Sequence, residues 1–267
     1  MTRKREAEKL IELISHSPVR YLYKYRSMAS RGLKDIFEKR KVFFNDATKF
    51  NDPCECRPHL AVDVNLLSQE VYLKKLAKER FPNARGAEIK ELIREKKVFL
   101  KDQAKLRKTY NEFVSTVGIY CLSEKKDDLL MWAHYSDAHR GLCLEFEAST
   151  EGSFFWEAFR VVYQEDYPVV NMMRMGEAEE FCKALLTKST HWSYEQERRI
   201  LKTKYEGGAG DYYFPPAALT GVIFGALMNS EDKETIKNWI KAYPSEISIY
   251  EATLNGHRYQ LDIGKIT

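Results

Sequence analysis

The spacing of apolar residues changes along the chain, and each change marks an element. Leu10, Ile11, Leu13 and Ile14 recur among charges and predict a short amphipathic helix over residues 5–15, ended by Ser17-Pro18. Residues 19–25 (VRYLYKY) alternate and are rich in Tyr, so they read as a strand. Leu33, Ile36 and Phe37 fall at helical spacing in residues 32–39, and Val42, Phe43 and Phe44 make a second short strand. Phe50-Asn51-Asp52-Pro53 predicts a turn, because Asn and Asp side chains bond their own backbone and Pro fixes φ. Residues 64–81 and 86–114 carry Leu73, Leu76, Ile89, Leu92, Ile93, Phe99 and Leu100 among many lysines and read as helices.

The second half reads mainly as strands. Residues 117–122 (VGIYCL), 141–146 (GLCLEF), 159–163 (FRVVY), 197–204 and 219–224 (LTGVIF) fit strands, whereas 129–135 (LLMWAHY), 177–188 and 232–242 fit helices. Residues 247–252 and 257–261 suit a closing hairpin around Asn255-Gly256. Helices gather in one stretch and do not alternate regularly with strands. The expected class is therefore α+β, a mixed or antiparallel central sheet with an inserted Lys-rich helical lobe. A length of 267 residues suits a single domain over 1–267, with 64–114 as the helical insertion.

Composition changes this picture in three places. The chain is 44% hydrophobic and 13% aromatic, enough to fill a core rather than stay disordered. Net charge is only +4, yet residues 71–110 hold 13 Lys/Arg against 5 Asp/Glu. The basic 64–114 helices are thus a candidate nucleic-acid surface, with a partner protein as the other candidate. Five cysteines (Cys54, Cys56, Cys121, Cys143 and Cys182) show no disulfide framework. Cys54-Glu55-Cys56 has no second half that would complete a zinc site, so reduced, mostly buried thiols and no metal are expected. The start MTRKREAEKL lacks the apolar core of a secretion signal, and no run approaches a membrane-spanning length. The expectation is a cytoplasmic protein with no membrane partner.

Several polar constellations sit at strand ends. Tyr25-Arg26 leaves the first strand, where an Arg beside aromatics can hold a phosphate; a surface Arg covering apolar area is the plainer alternative. In Phe50-Asn51-Asp52-Pro53-Cys54-Glu55 the Asn-Asp-Pro piece suits turn chemistry, and Glu55 is the freer acid. Ser123 and Glu124 close the 117–122 strand; Ser123 could equally cap a helix. Trp132, His134 and Tyr135 follow, with Trp132 and Tyr135 on one face of a turn, as either a stacking surface or a core aromatic pair. Glu195 and Glu197 are two apart on entering a strand, so one can position the other; pairing of Glu197 with Arg199 or Arg26 is the structural alternative.

Taken in order, YKYR, FNDPCE, VGIYCLSE, LLMWAHYSDAHRGLCLEF, LTKSTHWSYEQERRI and GVIFG resemble a bacterial family of unknown function over residues 21–224. A looser resemblance is to ADP-ribosyltransferases, with an Arg on the first strand, a Ser or Tyr in mid-chain and a late Glu-x-Glu. Here Leu122-Ser123-Glu124 stands in place of the Ser-Thr-Ser of that superfamily. The resemblance implies an NAD-consuming enzyme, a toxin or phage-defence effector, with NAD as substrate. Arg26 and Tyr25 would hold NAD beside Ser123, Glu124 and Trp132. Glu197, Glu195, Tyr135 and His134 would carry the chemistry, since a fixed carboxylate stabilises the positive ribose that forms as the glycosidic bond breaks. Two other classes stay open: a metal-dependent nucleic-acid-cleaving enzyme using Asp52, Glu55, Glu124 and His134, and a non-catalytic ligand- or partner-binding module.

Overall fold

The alternation of residues 19–25 does form a strand, and that strand lies within the largest sheet. The computed structural model describes residues 19–266 apart from 64 and 66–69, so the helix expected over 5–15 lies outside the described residues. The first half runs β1 (Tyr21–Arg26), α1 (Leu33–Lys39), β2 (Lys41–Phe44), β3 (His59–Ala61), α2 (Glu70–Arg80), α3 (Ala87–Lys101) and α4 (Gln103–Val114). Next come β4 (Gly118–Ser123), α5 (Leu129–Tyr135), β5 (Leu142–Glu147), β6 (Phe159–Arg160), β7 (Val162–Gln164) and β8 (Val169–Asn171). The chain ends with α6 (Ala178–Leu185), β9 (Thr187–Ser189), β10 (Glu197–Lys202), β11 (Gly210–Tyr213), β12 (Leu219–Phe224), α7 (Ser230–Lys241), β13 (Ser248–Leu254) and β14 (Leu261–Lys265).

Eight strands form one sheet in the order β14-β13-β12-β5-β1-β4-β10-β6. Only β12 and β13 pair in parallel; the other neighbours are antiparallel. The sheet is mixed and the class is α+β, as expected. Successive side chains on a strand point to opposite faces. Leu22, Leu122, Leu144, Val222 and Phe224 therefore bury one face against Ile36 and Phe37 of α1. Tyr23, Tyr25, Cys143 and Ile223 bury the other against Met131 and Trp132 of α5.

The Lys-rich stretch is helical between β3 and β4. Leu73, Ile89, Ile93, Leu106 and Tyr110 bury its inner face against Leu185, Ile119 and Leu201. Tyr110 also donates to the Cys56 carbonyl at 2.8 Å, which fastens the turn after Pro53 to this lobe.

Three details depart from the sequence reading. The helix begun at 178 stops at Leu185, and Thr187 pairs with Val162 instead. Residues 159–163 divide because β6 pairs with β10 whereas β7 turns to β9. The last hairpin arm begins at Leu261, because Asn255 Oδ1 accepts from the backbone of His257 and Arg258 (2.9 and 3.0 Å) and spends those residues on the turn.

Gly141 brings the loop before β5 against the end of β1. A Cβ there would lie 2.2 Å from the Arg26 carbonyl oxygen. Gly141→Ala is expected to cost about 1–3 kcal/mol or more through overpacking, measured by urea denaturation. A stability within a few tenths of a kcal/mol of the parent would contradict this close approach.

Candidate functional site

The site begins where the sheet parts. β1 pairs with β5 along its whole length but meets β4 only at Tyr23↔Ser123. Beyond that rung the Lys24 ammonium donates to the Cys121 carbonyl at 2.6 Å. The resulting crevice is about 480 Å³. It is lined by Tyr25, Arg26 and Ser123 from the sheet and by His134 and Tyr135 from α5. Glu195 and Glu197 line it from the turn into β10. The sequence spreads these residues from 25 to 197, and the fold brings them to one cavity.

A buried charge cluster forms the acidic wall. Lys188 Nζ lies 2.6 Å from Glu195 Oε2, 3.1 Å from Glu197 Oε2 and 3.5 Å from Glu55 Oε2. Arg199 holds Glu197 through two bonds, Nε to Oε1 at 2.8 Å and Nη2 to Oε2 at 2.9 Å. It also binds Glu55 and donates to the Leu185 carbonyl at 2.6 Å. Three carboxylates thus share two cations, and all five residues are buried. Burial alone would raise Glu197, but Arg199 and Lys188 outweigh it and hold Glu197 well below the usual carboxylate range. For Glu195 and Glu55 burial wins, and both are raised.

Local structure explains the arrangement. Glu195 ends a short 3-10 turn (Thr190–Glu195), and Gln196 takes a left-handed conformation, φ 41°. This reversal lets Lys188 reach both carboxylates. Along β10, Glu197 and Arg199 face the helical lobe, whereas Arg198 faces the other way and takes Glu124 at 2.6 Å. Glu124, which also lies 3.5 Å from Arg160, is therefore drawn away from the cleft, a correction to its expected binding role. Trp132 is corrected too. It is fully buried, donates to the Lys126 carbonyl at 2.9 Å and stands edge-on to Tyr25 at 5.2 Å, so its face belongs to the core.

Ser123 does not cap a helix; Asp128 caps α5, accepting from Leu130 and Met131. Ser123 instead donates to the Glu195 carbonyl at 2.6 Å and accepts from Lys125 N at 2.9 Å, which fixes the turn carrying Glu195. Tyr135 donates to Glu195 Oε1 at 2.6 Å, and burial followed by that bond raises its phenol far above the ordinary value. His134 is exposed beside Tyr194, with ring centres 6.3 Å apart. The Tyr25 hydroxyl is engaged by the Lys125 carbonyl at 2.8 Å. Arg26 Nε is buried without a hydrogen-bond partner among the described residues.

Sequence reasoning missed Lys24 and Lys188 and did not join Arg199 to Glu55. A Lys between alternating tyrosines and an Arg preceding Ile200 were the available signals, since both invite burial. The metal-site residues do not gather. Asp52 accepts from Cys54 N and Trp192 Nε1, both at 2.8 Å, while Glu55 and Glu124 are bound to Arg199 and Arg198. Among the described residues no group of three or more His, Cys, Asp or Glu side chains is placed to hold a metal ion; the three clustered carboxylates are taken by Lys188 and Arg199. All five cysteines are free, with Cys54 exposed.

Fold and site together define an α+β protein whose split sheet opens onto a buried charge cluster. A family model described as a protein of unknown function (DUF2971) matches residues 131–200. The resemblance expected from the mid-chain segments is borne out over that stretch, which carries Tyr135, Lys188, Glu195, Glu197 and Arg199. No match was found among curated proteins or among solved structures. No helix of the described residues is long and apolar enough to cross a membrane.

Removing Lys188 should leave three buried carboxylates facing Arg199 alone. Lys188→Met is expected to lose about 3–5 kcal/mol in urea denaturation, and adding Glu195→Gln should recover part of it. A double variant no more stable than Lys188→Met would count against a charge origin.

Proposed function

We propose that the cleft binds NAD, breaks its nicotinamide–ribose bond and passes ADP-ribose to an acceptor. The observation that carries this reading is the meeting of Arg26, Tyr135 and Glu197 in one cavity. In the step itself the C1′–N bond breaks and its electron pair leaves with nicotinamide. Glu197, kept ionised by Arg199 and Lys188, stabilises the positive ribosyl group. An acceptor nucleophile gives its electron pair to C1′ and its proton to Glu195, whose raised pKa suits a base. Tyr135 holds Glu195, and His134 stands at the mouth as a hydrogen-bonding and stacking group. Arg26 faces the NAD phosphates. Such chemistry suits a bacterial toxin or phage-defence effector acting in the cytoplasm.

Incubation with nicotinamide-labelled NAD, with nucleic-acid and protein acceptors, tests the reading. Nicotinamide release is expected, and Glu197→Gln, checked for folding by circular dichroism, should lower it about 100-fold or more. No NAD loss with any acceptor would leave a non-catalytic binding cleft.

Surface charge favours nucleic acid as the acceptor. Lys90, Arg94, Lys97 and Lys101 recur every three or four residues along α3, flanking its buried Ile89, Ile93 and Leu100, with Arg94 paired to Glu91 and the three lysines outside any salt bridge among the described residues. This stripe runs for roughly 16 Å. Reversing Lys90, Lys97 and Lys101 to Glu should weaken binding of an RNA or DNA oligonucleotide at least about tenfold and flatten its salt dependence. Unchanged binding would turn attention to a protein acceptor.

A further inference from the structure

The cavity has a cationic end of which the transfer reading uses Arg26 alone. Lys24 Nζ gives one hydrogen bond to Cys121 O at 2.6 Å and lies 4.9 Å from the centre of the Tyr120 ring. An ammonium has three donors, so two remain. Arg26 is two residues on, about 7 Å along the same face of β1. Its buried Nε makes no well-formed hydrogen bond among the described residues; the Tyr120 hydroxyl beside Arg26 is equally unmatched, and a ligand oxygen reaching Nε would compete with it. Lys49, with Asn45 and Asn51, lines the same cavity from the loop after β2. Among the described residues none of Lys24, Arg26 and Lys49 forms a salt bridge, because Lys188 and Arg199 hold the cleft's carboxylates.

We propose that Lys24, Arg26 and Lys49 seat the diphosphate of a nucleotide in this cavity, with the two remaining hydrogens of Lys24 going to phosphate oxygens. The assignment rests on the nucleotide reading of the cleft but not on bond breaking. Three cations on one side and a carboxylate cluster on the other give the ligand a fixed direction. The diphosphate lies at the β1 end, and the ribose to be attacked points toward Glu197.

The seat has a pH signature. Burial, aided by Arg26, lowers Lys24 to about 8. Cys121 on β4 and Glu197 and Glu195 on the β10 side oppose that shift. The remaining charged groups on the cavity are Lys49, Glu55 and Lys188. Lys24 is therefore charged below about pH 8 and loses its charge above it, so phosphate binding weakens as pH rises.

Titration calorimetry with ADP-ribose between about pH 7 and about pH 9.5 reads this directly. The diester diphosphate of ADP-ribose keeps two negative charges throughout, so the pH dependence belongs to the protein. Wild-type affinity should fall about tenfold across the range. Lys24→Arg should bind tightly with a flat profile, and Lys24→Met about tenfold more weakly, also flat. A flat wild-type profile, or a slope that survives in Lys24→Met, would overturn the seat. ADP-ribose bound with the expected profile while NAD stays intact would keep the seat and sink the transfer reading. NAD consumed without a pH-dependent affinity would do the reverse.

Discussion

Arg199 grips Glu197 through two hydrogen bonds in the interior, and the neighbouring structure follows from keeping that pair satisfied. A buried charge without partners costs several kcal/mol, so every other donor and acceptor in its surroundings must also be engaged. Arg199 spends its three remaining hydrogens on Glu55, the Leu185 carbonyl and Cys56 Sγ. The turn after Pro53 and the end of α6 are thereby tied to β10. Lys188, arriving on β9, supplies the second cation that three carboxylates require. Elements far apart in sequence are held together by charge balance as much as by apolar contact.

The helical lobe shares in this. Its buried face lies against Ile119 and Leu201, on the side of the sheet to which Arg199 points. Tyr110 of α4 holds the backbone of Cys56, next to Glu55. The lobe therefore braces the acidic wall, whatever its outer lysines contact. Ser123 does the same from the sheet by holding the Glu195 carbonyl.

Much of the fold was legible because its signals are local. Alternation in YLYKYR and LCLEFE, helical spacing in AEIKELIREKKVFLK and the Asn255 turn all depend on neighbours in sequence. Short strands such as β3, β8, β9 and β11 were not legible, since three or four residues carry too little pattern and form only by meeting a partner. In the site, the Glu-x-Glu and Arg26 stood out by residue type. Lys188 and Lys24 did not, because a lysine is usually solvated and its burial depends on carboxylates or carbonyls brought from elsewhere. Trp132 and Glu124 misled for the complementary reason. An aromatic beside polar residues and a carboxylate at a strand tip look available until Tyr25 and Arg198 claim them.

The single rung between β1 and β4 has a mechanical meaning. It divides the large sheet into a five-strand ladder and a three-strand ladder that touch, through paired backbone, at Tyr23 and Ser123 alone. Like the blades of a pair of scissors, the two ladders are joined by backbone at one point, and Leu22 and Leu144 of one meet Tyr120, Leu122 and Ile200 of the other in a shared buried core. Helix α5 contacts β1 and the 190–195 turn, and so bridges the two blades. The width of the gap between them is thus set by side-chain packing and by α5 rather than by the sheet's own hydrogen bonds.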